Sequence, residues 1–278
     1  MKASRLLPLV AGILAASLGL AACSGGGTDA GSSVSPAASG TATNAALADL
    51  QKSGVLRVGT EGTYSPFTFH DPATNELTGY DIEVITAVAG KLGVKPEFSE
   101  TKWDAIFAGL EAKRYDVIAN EVSINDERRA KYDLTDSYSV SYPVAIVKSD
   151  NTDITSIDSL KGRTAAQTAT SNWGQFATDA GATLEPVEGF TEAVAAVKDG
   201  RVDLTVNDNL AALEYFASTK DTDVKIGFEE PDEKVVQAFA LRKDSGLVEP
   251  INDALAELSA DGTLASIGQK WFGEDISK

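Results

Sequence analysis

Two short stretches decide how this chain folds: RYDVIANE at 114–121 and RVDLTVND at 201–208. Each has an Arg, an Asp two positions on, a β-forming run that starts with a hydrophobic residue, and then Asn followed by an acid. Each also follows a helical pattern. Ile106, Phe107 and Leu110 share one helix face before the first, and Ala193, Val194 and Val197 share one before the second. Further upstream the order repeats. VLRVGT (55–60) reads as a strand, 80–92 as an amphipathic helix closed by Gly93, VKPEFSE (94–100) as a strand, and 103–113 as a helix. The pattern then restarts with GRTAAQ (162–167), a helix from near Ser171 to Gly181, the strand TLEPVE, and a helix over 191–198. Strands alternating with helices of this length imply βαβ units and mainly parallel sheets. The restart predicts a duplicated α/β lobe.

Two extended segments, YPVAIVKSD (142–150) and VVQAFALRK (235–243), are placed to cross between the lobes. The helical patterns over 247–258 and 264–272 would then return to the first lobe. The expected body is lobe one over 50–142 plus 238–278, with lobe two and its hinge segments over 143–237.

The first fifty residues read differently. Lys2 and Arg5 precede an apolar run from Leu6 to Ala22, the pattern of a secretory signal peptide over 1–22. It ends in Leu20-Ala21-Ala22-Cys23, which resembles the bacterial lipobox and marks Cys23 as a lipid-attachment site. All but four of residues 24–44 are Gly, Ser, Thr or Ala, so 23–49 is expected to be a flexible tether. The chain is thus expected outside the cytoplasm, anchored to the outer face of the cell membrane.

Composition excludes several functions. The 278 residues carry 24 Lys and Arg against 41 Asp and Glu, a formal charge of −17. Such a chain is repelled by nucleic acid and by anionic lipid. One Cys and one His leave no internal disulfide, no Cys-rich zinc site and little basis for a nucleophile–His mechanism. No cofactor or metal is expected.

Ligands of open α/β sheets bind beyond the carboxyl ends of the strands. That rule selects Tyr64 and Phe67 after the first strand, and Glu121, Ser123 and Arg128 after RYDVIAN. It also selects Thr168, Thr170 and Ser171 after TAAQ, and Asp208 after LTVN. Arg128 is a permanently charged fork suited to a carboxylate. The helix start near Ser171 also suits an anion, and Asp208 suits an ammonium. Tyr64, Phe67 and Trp103 can form apolar walls. One cation and one anion match the α-amino-acid zwitterion. Duller roles stay open: Arg128 lies in the charge run DERRAKYD, Trp103 can be core, and Asp208 can cap the helix NLAALEYF.

The segments GTEGTYSPFTF, LTGYDIEV, VSINDERRAKYDLTDSY, LKGRTAAQTATSNW and GRVDLTVNDNLAALEYF resemble the family-three solute-binding proteins, the polar amino-acid receptors of ABC importers. The likeness runs from about residue 50 to the C-terminus. It implies a type II periplasmic-binding-protein-like fold, each lobe a mainly parallel sheet flanked by helices, joined by a two-strand hinge. It implies a non-enzymatic, monomeric receptor that closes on an amino acid and docks on a membrane permease. By the same resemblance Tyr64 walls the side-chain pocket, Arg128 pairs with the α-carboxylate helped by the Ser123 hydroxyl, residues 168–171 add carboxylate contacts, and Asp208 holds the α-amino group. Many glutamine, histidine and lysine receptors of this family have a small Gly near the position of Glu121, where this chain has Asn120-Glu121-Val122. With Trp103 and AAQTATSNW this is closest to the cystine-binding branch. Glu121 is open to two roles, on the ligand's ammonium or on a cationic side chain, the second favouring a basic amino acid. Two further functions compete: a periplasmic dehydratase-type enzyme on the same fold with Glu121 as its acid, and a ligand-sensing domain working with a separate membrane partner.

Overall fold

The apolar run VLRVGT becomes β1 (Val55–Thr60), with Leu56 and Val58 fully buried. The computed structural model describes residues 39–278. The expected signal peptide and Cys23 lie outside them, as does the first part of the tether. The end of that tether departs from expectation. A helix, α1 (Ser39–Ser53), runs into β1. Leu50 is buried, and Ala46 and Leu47 pack against the lobe-one core. These three residues share one helix face, a short apolar stripe hidden in the sequence by its Ala-rich surroundings.

After β1 come a small antiparallel sheet of β2 (Thr63–Tyr64), β3 (Thr68–His70) and β4 (Leu77–Thr78), then α2 (Tyr80–Lys91), β5 (Lys95–Glu100) and α3 (Trp103–Glu111). Next are β6 (Val117–Ser123), α4 (Asp126–Lys131), β7 (Tyr132–Leu134) and β8 (Ser139–Ser141). The chain crosses on β9 (Pro143–Lys148). Lobe two adds β10 (Thr164–Gln167), α5 (Asn172–Asp179), β11 (Thr183–Pro186), α6 (Phe190–Lys198), β12 (Leu204–Asp208), α7 (Asn209–Thr219) and β13 (Val224–Glu229). It returns on β14 (Val235–Arg242) to α8 (Val248–Ala260) and α9 (Thr263–Phe272).

The two sheets have matching orders, β5-β1-β6-β14-β7 (with β8 also on β14) and β11-β10-β12-β9-β13. In each, the first three strands are parallel and one strand runs against its neighbours, β14 in lobe one and β9 in lobe two. The cause is geometric. Parallel strands end at the cleft, and a segment arriving from the other lobe starts there, so it runs the opposite way. The reversed strands are therefore the two crossings. The return crossing pairs with lobe one from Val235, opposite Ser141, three residues before the expected boundary at 238.

Both sheets are covered on both faces, so the central strands β6 and β12 are buried along their whole length, with apolar residues at their starts and polar ones toward the cleft. In β6, Val117 and Ala119 face the cluster of α2 and α8, whereas Ile118 and Val122 face Trp103, Ile106 and Leu110 on α3. Each fully buried aliphatic side chain contributes about 1.5–3 kcal/mol by leaving water. Two glycines make room for one aromatic ring. A Cβ on Gly59 would lie 2.4 Å from the Tyr115 ring, and one on Gly109 would lie 2.2 Å from the Tyr115 hydroxyl oxygen.

Candidate functional site

The carboxyl ends of β1, β6, β10 and β12 converge between the lobes. Two adjoining cavities open there, sharing Ser171 and Asn172. The first is small, about 60 Å³, and is walled by Glu61, Tyr64, Trp103, Glu121, Thr168 and Asn207, among others. The second holds Arg128, Asp104, Thr170 and Gln175.

Arg128 is reached from α4, whose N-cap Asn125 accepts from the Arg128 backbone N–H at 2.8 Å. The guanidinium is buried. Its Nη1 donates to the Ser123 carbonyl at 2.8 Å, and the group lies over the rings of Trp103 (5.1 Å) and Phe107 (5.6 Å). Its Nη2 is buried with no partner, as is Trp103 Nε1. Burial pulls the guanidinium down to about 10, so it stays charged at neutral pH. A buried cation with a free donor is costly unless an anion meets it.

Across the cleft, Asp208 caps α7 by accepting from Ala211 N–H at 2.7 Å. Its other oxygen accepts from the Tyr64 hydroxyl, which also lies 2.7 Å from Asn207 Oδ1. The cap and a contact to lobe one therefore coexist at Asp208, which lines neither cavity. Burial raises its carboxyl above the ordinary aspartate value. The lobes meet twice more: Thr170 donates through N–H (3.1 Å) and Oγ1 (2.7 Å) to Asp104, and Lys102 pairs with Glu188.

The remaining expected residues divide. Tyr64, Trp103, Glu121, Thr168 and Ser171 line the first cavity. Ser171 also caps α5 by accepting from Gly174 N–H. Phe67 does not reach the cleft: it is fully buried in the lobe-one core, 5.0 Å behind the Tyr64 ring and 5.8 Å from Phe272. It sits three residues beyond β2, where the chain turns inward. Ser123 contributes its carbonyl to Arg128 rather than a hydroxyl to the cavity. Thr170 is engaged by Asp104 of the opposite lobe.

Several participants escaped the sequence reading. Asn120 accepts from Glu61 N–H and donates to Glu61 Oε2, both at 2.7 Å. Burial lifts Glu61 to about 7 despite that bond. Gln167, Asn207 and Phe190 complete the first cavity. The strand-end rule could have found Asn120, Gln167 and Asn207. Asp81 had no such signal, because an acid in the first turn of a helix reads as a dipole partner. Here it is fully buried and accepts from Glu121 N–H (2.7 Å) and the Tyr138 hydroxyl (2.8 Å). Among the described residues no group of metal-binding side chains occurs, and no helix is long and apolar enough to cross a membrane.

Residues 56–274 match the bacterial extracellular solute-binding proteins, family 3. The chain belongs to that family. The L-cystine-binding protein TcyA of Bacillus subtilis is 52% identical over 232 residues, covering 83% of this chain and 86% of TcyA. Among solved structures, the L-cystine solute receptor of Neisseria gonorrhoeae in its unliganded open conformation is 44% identical, with a TM-score of 0.56 over 84% of this chain and 98% of that one. An ancestral arginine-binding protein bound to arginine is 39% identical, with a TM-score of 0.74 over 79% and 99%. This family-3 protein thus has the two-lobed α/β architecture of extracytoplasmic amino-acid receptors. Its relatives are named as binding proteins, not enzymes.

Proposed function

We propose that this family-3 protein is the amino-acid receptor of an ABC importer, that its ligand is L-cystine, and that a lipid on Cys23 holds it at the outer face of the cell membrane. The observation that carries the reading is the pair of complementary charges on opposite lobes. Arg128 on lobe one offers a buried, unpartnered N–H to a carboxylate. Asp208 on lobe two offers a buried carboxylate to an ammonium. A ligand touching both stabilises the closed form, and the permease then reads that form. The 52% identity to an L-cystine-binding protein supports cystine among the zwitterions. The three direct links between lobes support a closed arrangement. So does the better superposition on the arginine-bound ancestor than on the open cystine receptor of higher identity.

Titration calorimetry of the purified chain with cystine, arginine and glutamine tests this. Cystine is expected to bind most tightly, as a monomeric one-to-one complex. Tight binding of glutamine or arginine with none of cystine rejects the ligand. A basic amino acid is the second reading, favoured by the acids Glu61 and Glu121 in the cavity wall.

A further inference from the structure

Ser139 on β8 has one hydroxyl hydrogen and two oxygen neighbours. Its Oγ lies 2.9 Å from Glu121 Oε1 and 2.9 Å from Gln237 Oε1 on β14. Gln237 turns its amide nitrogen to Ser141 Oγ at 2.7 Å, so its oxygen is the atom facing Ser139. An amide oxygen and a carboxylate oxygen only accept, and a hydroxyl donates once. Both Ser139 contacts are hydrogen bonds when Glu121 carries a proton on Oε1. Glu121 then donates to Ser139, Ser139 to Gln237, and Gln237 to Ser141.

The surroundings favour the same state. Asp81, behind Glu121, already receives two donors, from Tyr138 and from the Glu121 backbone, and is the better holder of a charge. Asp208 approaches from β12, with Glu61 and Tyr64 from the end of β1 and its loop, and Tyr80 from α2. All are acids or phenols. Among the described residues no Lys or Arg hydrogen-bonds to Asp81 or Glu121. Burial first, then the neighbouring Asp81 and Asp208, push Glu121 well above the ordinary carboxylate range, and burial lifts Asp81 to about 7. Glu121 also sits at φ +48°, where the pairing of β6 with β14 slips. Such backbone is strained for a residue other than glycine, and bulges of this kind re-aim side chains. Its second oxygen, Oε2, is buried without a partner in a residue that walls the first cavity.

We propose that Glu121 faces the cleft as an uncharged carboxylic acid and so sets the charge class of the ligand. A net-neutral amino acid such as cystine is met by Arg128 and Asp208 and leaves the Glu121 proton in place. A cationic side chain is accommodated only when that proton leaves to solvent and Glu121 becomes its counter-ion. Asp81, Ser139 and Gln237 are positioning residues that hold the protonated form. The inference rests on the amino-acid-binding reading and specifies its selectivity.

Infrared spectroscopy of the full chain at neutral pH is expected to show a carboxylic-acid C=O band that Glu121→Gln removes. A spectrum with no Glu121-dependent acid band overturns the proposal. The second test uses the unmodified chain, with arginine and cystine competing between about pH 6 and 9. Arginine's affinity relative to cystine is expected to rise by up to about tenfold per pH unit, the slope of one released proton. A flat ratio, or rejection of arginine at every pH while cystine binds, overturns the proposal alone. Binding of neither ligand sinks the amino-acid reading along with it.

Discussion

The hydroxyl of Tyr64 on lobe one donates to the carboxylate of Asp208 on lobe two, and its ring stands 6.4 Å from that of Phe190 on the same opposite lobe. One side chain thus joins the lobes through both ends. Tyr64→Phe keeps the ring and removes the bond. A hydrogen bond to a charged group contributes about 1.5–3 kcal/mol. The closed form should therefore lose population, with cystine affinity falling about tenfold or more. Small-angle scattering should show a larger radius for the variant. An unchanged radius and affinity would leave Tyr64 as a mere wall.

Asp208 serves two functions, and two substitutions separate them. Asn caps helices about as well as Asp, so Asp208→Asn should leave thermal stability nearly intact while weakening cystine binding strongly. Asp208→Ala should lose the binding and also about 1 kcal/mol of stability from the missing cap. Equal binding by the Asn variant and the parent would confine Asp208 to α7.

Arg128 is held by Ser123 and by the faces of Trp103 and Phe107, with a second donor arm left over. Lysine has a single compact charge and cannot reproduce that fork. Arg128→Lys should therefore weaken amino-acid binding by about 2–5 kcal/mol, the cost of breaking a buried charge pair. Calorimetry giving near-parental affinity for the Lys variant would show that charge alone suffices.

Several buried acids make stability depend on pH in an unusual sense. Burial holds Glu61 and Asp81 at about 7, with Asp208 and Glu121 also raised. Each binds its proton more readily folded than unfolded. The stability it contributes is complete at low pH and is lost as pH rises through the folded value. Asp221, held at about 2 by Lys198, and Asp261, held at about 2 by Thr263 and Lys91, act oppositely, but only below about pH 4. Tm should therefore rise as pH falls from about 8 to about 5. A Tm that falls over that interval contradicts the arrangement.

Cys23→Ser removes the proposed site of lipid attachment. The variant should leave the membrane fraction and appear in soluble extracytoplasmic material, without incorporating labelled fatty acid. Continued membrane retention of the variant would place the anchor elsewhere.

The strand-end rule was informative because backbone topology alone decides where parallel strands stop. Glu121, Thr168 and Asp208 follow from it: the first two line the first cavity, and Asp208 meets Tyr64 across the lobes. It failed at Phe67, where a tight turn beyond β2 sends the ring inward. It failed also at Ser123, where the backbone carbonyl carries the interaction. Asp81 was illegible because its partners, Glu121 and Tyr138, lie 40 and 57 positions away. Helix α1 was obscured by composition, since three apolar residues among many alanines and polar residues only become a face once α8 and β1 are there to receive them.

The sequence by itself determined the duplicated strand–helix order, the two crossings, and a cation and an anion assigned to separate lobes. These depend on local periodicity and on chain direction, which successive residues encode. Only the tertiary structure decided which oxygen faces which hydrogen. It set Tyr64 against Asp208, left one arm of Arg128 free, and placed Glu121, Asp81 and Ser139 together in a buried site. Protonation and selectivity depend on desolvation and on distances of about 3 Å between residues far apart in the chain, and packing alone sets those.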